Sequence, residues 1–398
     1  MSAVPRLPRP WPSAPGERMP PLLPATTDVG RPNPGGCLLL VGVGNVGTGI
    51  ARAFRRAGWR VTAIDPRPVA RPWDGPESTG DGFALRQSTI DELADADFAE
   101  LLAAADEVVY AAECGNRDEY SAPQLARENA ARFRRFAERV ARLAGNDAWA
   151  PHVAFVGGSW TRRAATAPPS SGLLVVNDDS PAKPAEEANA YEMAKGRAQR
   201  DAAALAASLR LRITFYDWAS VVPNLAPNFS IAQMTRAALA DGAVEYSDGD
   251  FGRPLLGAED AGAALVMLTV DRLASERCRT DRGVPSLAPF TGPTADVSAG
   301  GCTTVLLPGL FTTFERFATL VKEEVELAAG PSHGVVLRPQ AGGTPAILGA
   351  RCESALLQRL RFAPRVVAVE EGLREACRAA IAGAREEADR RKGGKKYN

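Results

Sequence analysis

Cys37-Leu38-Leu39-Leu40-Val41-Gly42-Val43-Gly44-Asn45-Val46-Gly47 is the stretch that decides the fold. Its first five residues form a short continuous apolar run, typical of a parallel strand buried on both faces. The next six fit G-x-G-x-x-G. In that pattern Gly42 permits a tight turn, Gly44 lets a pyrophosphate approach the backbone, and Gly47 lets helix and strand pack closely. Ile50, Ala53 and Phe54 recur at helical spacing and predict a helix over residues 48–57, ended by Gly58. Arg60–Ile64 (RVTAI) predicts a second strand, with Asp65 at its end. The helix N-terminus, with Asn45, Val46 and Gly47 leading into it, offers free N–H groups and the positive end of a dipole to phosphate. Asp65 stands where an acid accepts hydrogen bonds from an adenosine ribose. The order strand, glycine turn, helix, strand, acid therefore predicts a dinucleotide site. NAD is favoured over NADP, because Asp65 would repel a 2′-phosphate. Arg67 and Arg71 keep NADP as the second choice.

Outward from that unit, strands and helices alternate. Residues 83–90 predict a third strand, 98–105 a helix and 107–111 a fourth strand. A long amphipathic helix is predicted over 123–144, with Leu125, Phe133, Phe136, Val140 and Leu143 on its apolar side. His152–Val156 (HVAFV) predicts a fifth strand, 191–209 a second long helix, and 211–216 a sixth strand. This alternation predicts an α/β fold with a Rossmann-type, doubly wound parallel sheet over residues 35–222. Past residue 222 the pattern loosens and prolines and glycines multiply. A smaller C-terminal substrate-binding lobe is expected over 223–384, woven from 223–248 and the chain after 283, with some segments returning to the first domain. Residues 1–34 are rich in proline and predict a disordered extension, with Met1 or Met19 as the start. Residues 385–398 form a charged tail. No internal repeat is visible.

Composition excludes several classes of function. The 398 residues carry 47 basic and 47 acidic side chains, which removes the electrostatic case for a nucleic-acid partner. No apolar run approaches the roughly 20 residues of a membrane span. His152 and His333 are the two histidines, too few for a His-rich metal site, and no metal-ligand set is identified. The six cysteines lie far apart without a C-x-x-C pair, as expected for free thiols in a reducing cytoplasm.

Tyr191-Glu192-Met193-Ala194-Lys195 places a phenol and an ammonium one helical turn apart on one face. A phenol with an ordinary pKa of about 10 is a poor base at neutral pH. A lysine cation beside it favours the phenolate and lets it exchange a proton with a substrate hydroxyl or carbonyl. An isolated Y-x-x-x-K is commonly a solvated surface pair. Its position after the fifth strand of a dinucleotide fold makes it a catalytic candidate.

With these residues in place the sequence resembles the extended short-chain dehydrogenase/reductase family, the nucleotide-sugar epimerases and dehydratases, over residues 37–381. In Phe155-Val156-Gly157-Gly158-Ser159-Trp160-Thr161, the resemblance implies Ser159 as the catalytic hydroxyl, with Thr161 as fallback and substrate contact. Asn129 matches the asparagine that the family carries in its long helix. Asp178-Asp179-Ser180-Pro181 and Pro184 resemble the approach to the tyrosine. Gly252-Arg253-Pro254-Leu255-Leu256 with Glu259-Asp260 resembles R-[DP]-x-x-x-V-x-D, whose arginine contacts a nucleotide diphosphate in relatives. The closing segments Arg361-Phe362-Ala363-Pro364 and Glu371-Gly372-Leu373-Arg374-Glu375 also resemble the family's. The same likeness implies Ala111 as a cofactor contact and Asn224 as a substrate contact. The pattern departs in three places, the first being the glycine loop of residues 42–47, one residue tighter than the G-x-x-G-x-x-G of many extended members. Tyr216-Asp217-Trp218-Ala219-Ser220-Val221-Val222-Pro223 lacks the family's arginine and Tyr-Gly, and Gly158-Ser159-Trp160 lacks the dehydratase acid, for which Glu192 or Asp217 could substitute.

The chemistry this implies is hydride transfer between a nicotinamide and a secondary alcohol carbon. Tyr191 takes the hydroxyl proton, Lys195 tunes the phenol and holds the nicotinamide ribose, and Ser159 orients the reacting oxygen. An epimerase acting on a nucleotide sugar is favoured. A reductase or dehydrogenase, a dehydratase, and a non-catalytic NAD(P)-binding protein are the alternatives. The two long helices are expected to carry more apolar surface than one sheet face can cover, which predicts a homodimer through a four-helix interface.

Overall fold

The computed structural model of the chain describes residues 35–68, 82–112, 122–144, 152–157, 173–177, 180–181, 190–218, 220–223, 225, 229–247, 252–281, 301–330, 333–340, 349–352 and 354–394. The elements begin with β1 (Cys37–Val41), α1 (Asn45–Arg56), β2 (Arg60–Ile64), β3 (Phe83–Arg86), α2 (Asp95–Ala103), β4 (Glu107–Tyr110), α3 (Ala122–Ala144) and β5 (His152–Val156). They continue with β6 (Leu173–Val176), α4 (Ala190–Leu209), β7 (Arg212–Trp218), β8 (Ser220–Val222), α5 (Ser230–Asp241), β9 (Ala243–Ser247), β10 (Gly252–Gly257) and α6 (Ala258–Asp281). The last are β11 (Gly301–Leu307), β12 (Leu310–Thr313), α7 (Phe314–Ala329), β13 (Val336–Gln340), β14 (Gly349–Cys352), α8 (Ala355–Arg359) and α9 (Val366–Gly394).

Seven of these strands form one sheet in the order β11-β7-β5-β4-β1-β2-β3, with every neighbouring pair parallel. Its apolar side chains alternate between two cores, as the strand period of two requires. Leu38, Leu40, Val109, Ala154, Tyr216 and Val305 pack under α1 and α6, against Ile50, Phe54, Leu265 and Leu268. Leu39, Val108, Tyr110, Val153, Phe155, Ile213 and Phe215 pack under α2, α3 and α4. In that second layer the rings of Phe133 and Phe155 stack with centroids 3.9 Å apart. A third core unites Phe229, Val244, Leu255, Phe317, Val321, Val369 and Leu373. It belongs to the smaller sheets β12-β10-β8 and β13-β9 with α5, α7 and α9.

Three features depart from the sequence reading. Helix α1 begins at Asn45 rather than residue 48, because close packing of Gly47 on the Gly42 carbonyl overrides the low helix propensity of glycine. The third strand stops at Arg86. Thr89 and Glu92 then form a reciprocal capping box around a short 3-10 turn, Ile90–Glu92. Strand β6, an LLVV run that the sequence reading passed over, pairs in parallel with β14. The chain after residue 257 returns to the main sheet twice. Helix α6 covers α1, where a Cβ at Gly262 would lie 2.6 Å from the Gly49 carbonyl oxygen, so the two helices meet at backbone distance. Strand β11 then extends the sheet beside β7.

The expected apolar excess on the long helices is not found among the described side chains. Phe133, Phe136, Val140, Ala198, Ala202, Leu205 and Ala206 are all buried within the chain, and the exposed large hydrophobics (Leu225, Leu327, Val336 and Val367) lie elsewhere. The sheet face accommodates both helices side by side, since they also pack on each other. Among the described residues no helix is long and apolar enough to cross a membrane.

Candidate functional site

The C-terminal edge of the parallel sheet holds the glycine turn, Asp65 and Ala111. At the β1–α1 turn Gly42 adopts φ +93°, a left-handed backbone that favours glycine, and its N–H donates to the Ile64 carbonyl at 2.8 Å. A Cβ there would lie 2.6 Å from the Ala112 nitrogen, so only glycine lets the turn approach the chain leaving β4. A Cβ at Gly47 would overlap the Gly42 carbonyl oxygen. Gly44 caps α1 with extended backbone and no side-chain hydrogen bond. The first-turn N–H groups of Asn45, Val46 and Gly47 therefore have no intrahelical partner and face the sheet edge as anion donors. Ala111, just past β4, donates its N–H to the Val41 carbonyl at 2.8 Å, which brings it beside the same turn.

Asp65 is buried at the end of β2 and is more engaged than the sequence suggests. Its Oδ2 accepts from the Val43 N–H at 2.8 Å, and its Oδ1 accepts from the Arg67 N–H at 2.9 Å. The Arg67 guanidinium adds contacts at 3.2 and 3.3 Å. Burial by itself raises the Asp65 carboxyl pKa. These hydrogen bonds and the Arg67 charge outweigh it and hold the group below its ordinary value, hence ionised. The Arg67 side chain is mostly exposed, so its ion pair contributes only about 0–1 kcal/mol and yields readily to a competing hydroxyl pair. Arg71 lies outside the described residues.

Arg253, on β10, is a half-buried cation in the lobe. Its guanidinium lies beside the rings of Phe229 and Phe314, 5.8 and 5.3 Å from their centroids, and donates to Ser230 Oγ at 3.1 Å. Burial lowers its pKa, yet a guanidinium stays charged. This aromatic frame was not legible in the sequence, because residues 229, 253 and 314 are far apart and meet only in the folded lobe.

Ser159, Thr161 and Asn224 lie outside the described residues, as do the side chains of Tyr191 and Lys195. The backbone of Tyr191 and Lys195 is the first turn and a half of α4. Further along α4 the sheet-facing positions are Ala198, Ala202, Leu205 and Ala206, all buried, whereas Arg197, Arg200, Ala203 and Ala204 are exposed. Carried back at 100° per residue, the buried stripe passes through positions 195 and 191. The backbone of Tyr191 and Lys195 thus falls in register with that stripe, at the end of α4 nearest the C-terminal edge of the sheet. Asp217, buried near the end of β7, belongs to this edge as well.

The family model described as NAD dependent epimerase/dehydratase family matches residues 38–276. Among solved structures, the chain is similar to MoeE5 in complex with UDP-glucose and NAD at 19% identity and TM-score 0.56, covering 88% of this chain and 100% of that one. It is similar to the dTDP-glucose 4,6-dehydratase DesIV of Streptomyces venezuelae at 16% identity and TM-score 0.58, covering 87% and 97%. It is also similar to the UDP-N-acetylglucosamine 4-epimerase of Methanobrevibacter ruminantium at 14% identity and TM-score 0.57, covering 87% and 99%. At these identities the likeness is one of fold. No curated protein matches the chain.

Proposed function

The chain belongs to the NAD dependent epimerase/dehydratase family, and from that premise we propose that it is an NAD-dependent epimerase of a nucleotide sugar, acting by transient oxidation and re-reduction of a secondary alcohol. The observation that supports this reading is the glycine turn with its buried acid at the C-terminal edge of the sheet, together with the helical backbone that sets Tyr191 and Lys195 one turn apart at the start of α4.

The residues at the turn fit a dinucleotide. Side chains are excluded at Gly42 and Gly47, first-turn N–H groups are available, and an ionised Asp65 stands one strand away. When bound, NAD supplies the hydride acceptor and donor; the protein supplies position and proton transfer. Gly42, Gly44, Asn45, Val46 and Gly47 hold the pyrophosphate, Asp65 the adenosine ribose, and Ala111 borders the cofactor. Tyr191 takes the substrate proton, Lys195 holds the phenol's pKa down and binds the nicotinamide ribose, and Ser159 donates to the reacting oxygen. Residues 35–222 form most of the NAD domain, to which α6 and β11 return, and residues 223–384 are mainly the substrate lobe, where Arg253 meets the diphosphate and Thr161 and Asn224 complete the pocket.

A homodimer is part of this reading. Support for it lies in Ala203, Ala204 and Ala207 on the exposed side of α4, small residues that permit close approach of a second copy. Static light scattering showing a monomer at micromolar concentration overturns it. The free thiols of Cys37, Cys302 and Cys377 support placement in a reducing cytoplasm.

The deciding experiment is a panel of nucleotide sugars analysed for product, with Tyr191→Phe as control. Epimer formation without net consumption of NAD(H) is expected. Net oxidation or reduction, or loss of water, replaces epimerisation with one of the other two activities. Tyr191→Phe removes only the hydroxyl and should lower turnover by roughly 10²-fold or more while cofactor affinity stays near native. Wild-type turnover by this variant removes Tyr191 from the mechanism.

A further inference from the structure

We propose that Asp260 is a positioning residue for the substrate: through Arg365 it fixes the start of α9 where β8, β10 and α9 converge, and so sets the spacing between Arg253 and the segment beyond Pro223. The inference rests on the reading of residues 223–384 as mainly a substrate lobe.

Asp260 lies in the first turn of α6 and is 2% exposed. One residue engages both of its oxygens. Oδ2 accepts from the Arg365 N–H and Oδ1 from Arg365 Nε, each at 2.6 Å. Arg365 stands just before α9, and its carbonyl accepts the Val369 N–H at 3.3 Å. The carboxylate therefore grips the residue that starts the helix, at the end where the helix dipole favours a negative charge. Its neighbour Glu259 faces a different partner set, Arg52 and Arg56 of α1 at 3.6 and 2.6 Å, with Arg365 at 3.8 Å. Glu259 thus ties α6 to α1, and Asp260 ties α6 to α9. Buried and closed off by Arg365, Asp260 acts through α9 rather than on a ligand.

Helix α9 meets the ends of two strands at backbone distance. Positions 368 and 372 lie one turn apart on one face. A Cβ at Gly257 would lie 2.8 Å from the Ala368 Cβ. A Cβ at Gly372 would lie 2.9 Å from the Val222 carbonyl oxygen and 3.0 Å from the Pro223 nitrogen. Gly257 and Val222 are themselves paired, as the last residues of β10 and β8. No larger side chain fits at Gly257 or Gly372, so a slide of α9 is passed to both strand ends. Each strand leads to a proposed substrate contact: Arg253 lies on β10, and Asn224 follows Pro223. Val369, Leu373, Ala376 and Cys377 seat the same helix in the core of the lobe. Helix α6, in turn, is fixed against α1, where a Cβ at Gly49 would lie 2.3 Å from the Ala258 carbonyl oxygen. Asp260 is therefore the tie between the layer that starts at the glycine turn and the helix that spaces the lobe's strands.

The test separates substrate from cofactor. Calorimetry on the full chain measures NAD binding, and then binding of UDP, dTDP, GDP and CDP to the NAD-loaded protein. Hydrogen exchange is read on peptides covering residues 220–225, 366–372 and 42–56. Asp260→Asn is expected to quicken exchange in the first two peptides and not in the third. It should weaken the best-bound nucleotide by about tenfold and leave NAD affinity within about twofold. Arg365→Lys, which keeps the charge and the backbone donor, should lose less than half as much on a logarithmic scale. Gly372→Ala, which leaves Asp260 and Arg365 intact, should weaken the nucleotide in the same selective way. With a substrate in hand, the loss should appear in KM more than in kcat. Unchanged nucleotide affinity in folded Asp260→Asn, or an equal loss of NAD and nucleotide, overturns the proposal, because a merely structural carboxylate lowers stability without selecting between ligands. Should that variant not fold, Gly372→Ala decides: selective loss of the nucleotide upholds the proposal and unchanged affinity overturns it. A wild type that binds no nucleoside diphosphate, while exchange at 220–225 still responds to Asp260, sinks the nucleotide-sugar reading alone and leaves the tie standing.

Discussion

The two edges of the same parallel sheet treat charge in opposite ways. At the N-terminal edge Glu107, His152 and Arg212 open β4, β5 and β7, and α6 closes over them with Arg272 and Glu276. Glu107 accepts from Arg272 at 2.5 Å and from the His152 Nδ1–H at 2.7 Å, while His152 Nε2 meets the Thr214 hydroxyl at 2.8 Å. Glu276 accepts from Arg212 at 2.6 Å and from Arg272 at 3.0 Å. Burial pushes the Glu107 carboxyl up, but the Arg272 charge and the His152 contact reverse this and hold it at about 2. Burial also keeps His152 below its ordinary value, so its neutral ring donates from Nδ1 to Glu107 and Arg272 is the cation of the group. This edge is occupied by its own partners and clamps the returning helix α6 to the sheet. At the C-terminal edge the backbone donors of the β1–α1 turn point outward, and Asp65 is covered by an exposed, displaceable arginine. On the proposed reading one edge contributes stability and the other recognition, so substitutions at the two should separate cleanly.

The largest expected effect lies at the closed edge. Glu107→Ala strips a buried arginine of its counter-charge and should lower unfolding free energy by about 3–5 kcal/mol in urea titration. NAD affinity of the folded fraction should stay within about twofold. A variant of native stability, or one that loses NAD affinity in proportion, breaks the separation.

Acid should find the same edge. Folded Glu107 stays ionised to about pH 2, whereas in the unfolded chain it takes up a proton near 4.5, so between these values the unfolded state binds the extra proton. Stability is fully present above 4.5 and is lost as pH falls toward 2, by about 3 kcal/mol. His152, held neutral, adds a milder loss as pH falls below 6.5, where the unfolded chain protonates. Urea midpoints measured from pH 8 to 3 check both windows, and His152→Gln should abolish the upper one alone.

Smaller effects belong to the open edge. Gly42→Ala forces a side chain into a φ of +93° and against Ala112, and should weaken NAD binding by tenfold or more, about 1.4 kcal/mol, by fluorescence titration. The smallest is Arg67→Ala. It frees Asp65 for the ribose and exposes its charge to a 2′-phosphate, so the ratio of NADP to NAD dissociation constants should rise by up to about fivefold, within 1 kcal/mol. A wild type that binds NADP more tightly, or a ratio that falls in Arg67→Ala, shows that Arg67 rather than Asp65 reads the cofactor.

The open edge was largely legible in the sequence, and the closed edge was not. The glycines that shape the turn are contiguous, and Asp65 follows within one βαβ unit. Local pattern therefore locates them. Position 191 could be assigned to a site only by its order after a fifth strand. Glu107, His152, Arg212, Arg272 and Glu276 carry no such signal. Each alone reads as an ordinary polar residue at the end of an element, and it is strand order that makes them neighbours. The apolar residues of α3 and α4 were read correctly as apolar but assigned a surplus. How much of a helix a sheet covers depends on whether another helix lies beside it, which periodicity does not report.

Sequence alone determined what depends on near neighbours in the chain: the strand and helix periods, the glycine turn with its acid, and the one-turn spacing of Tyr191 and Lys195. Tertiary structure decided what depends on distant segments meeting. It returned α6 and β11 to the main sheet, set Arg253 beside the rings of Phe229 and Phe314, and paired the buried charges of the N-terminal edge. The physical reason is that backbone propensity acts over a few residues. Burying a charge or stacking a cation on a ring requires partners whose separation in sequence is unconstrained, and the fold alone brings them within a few ångströms.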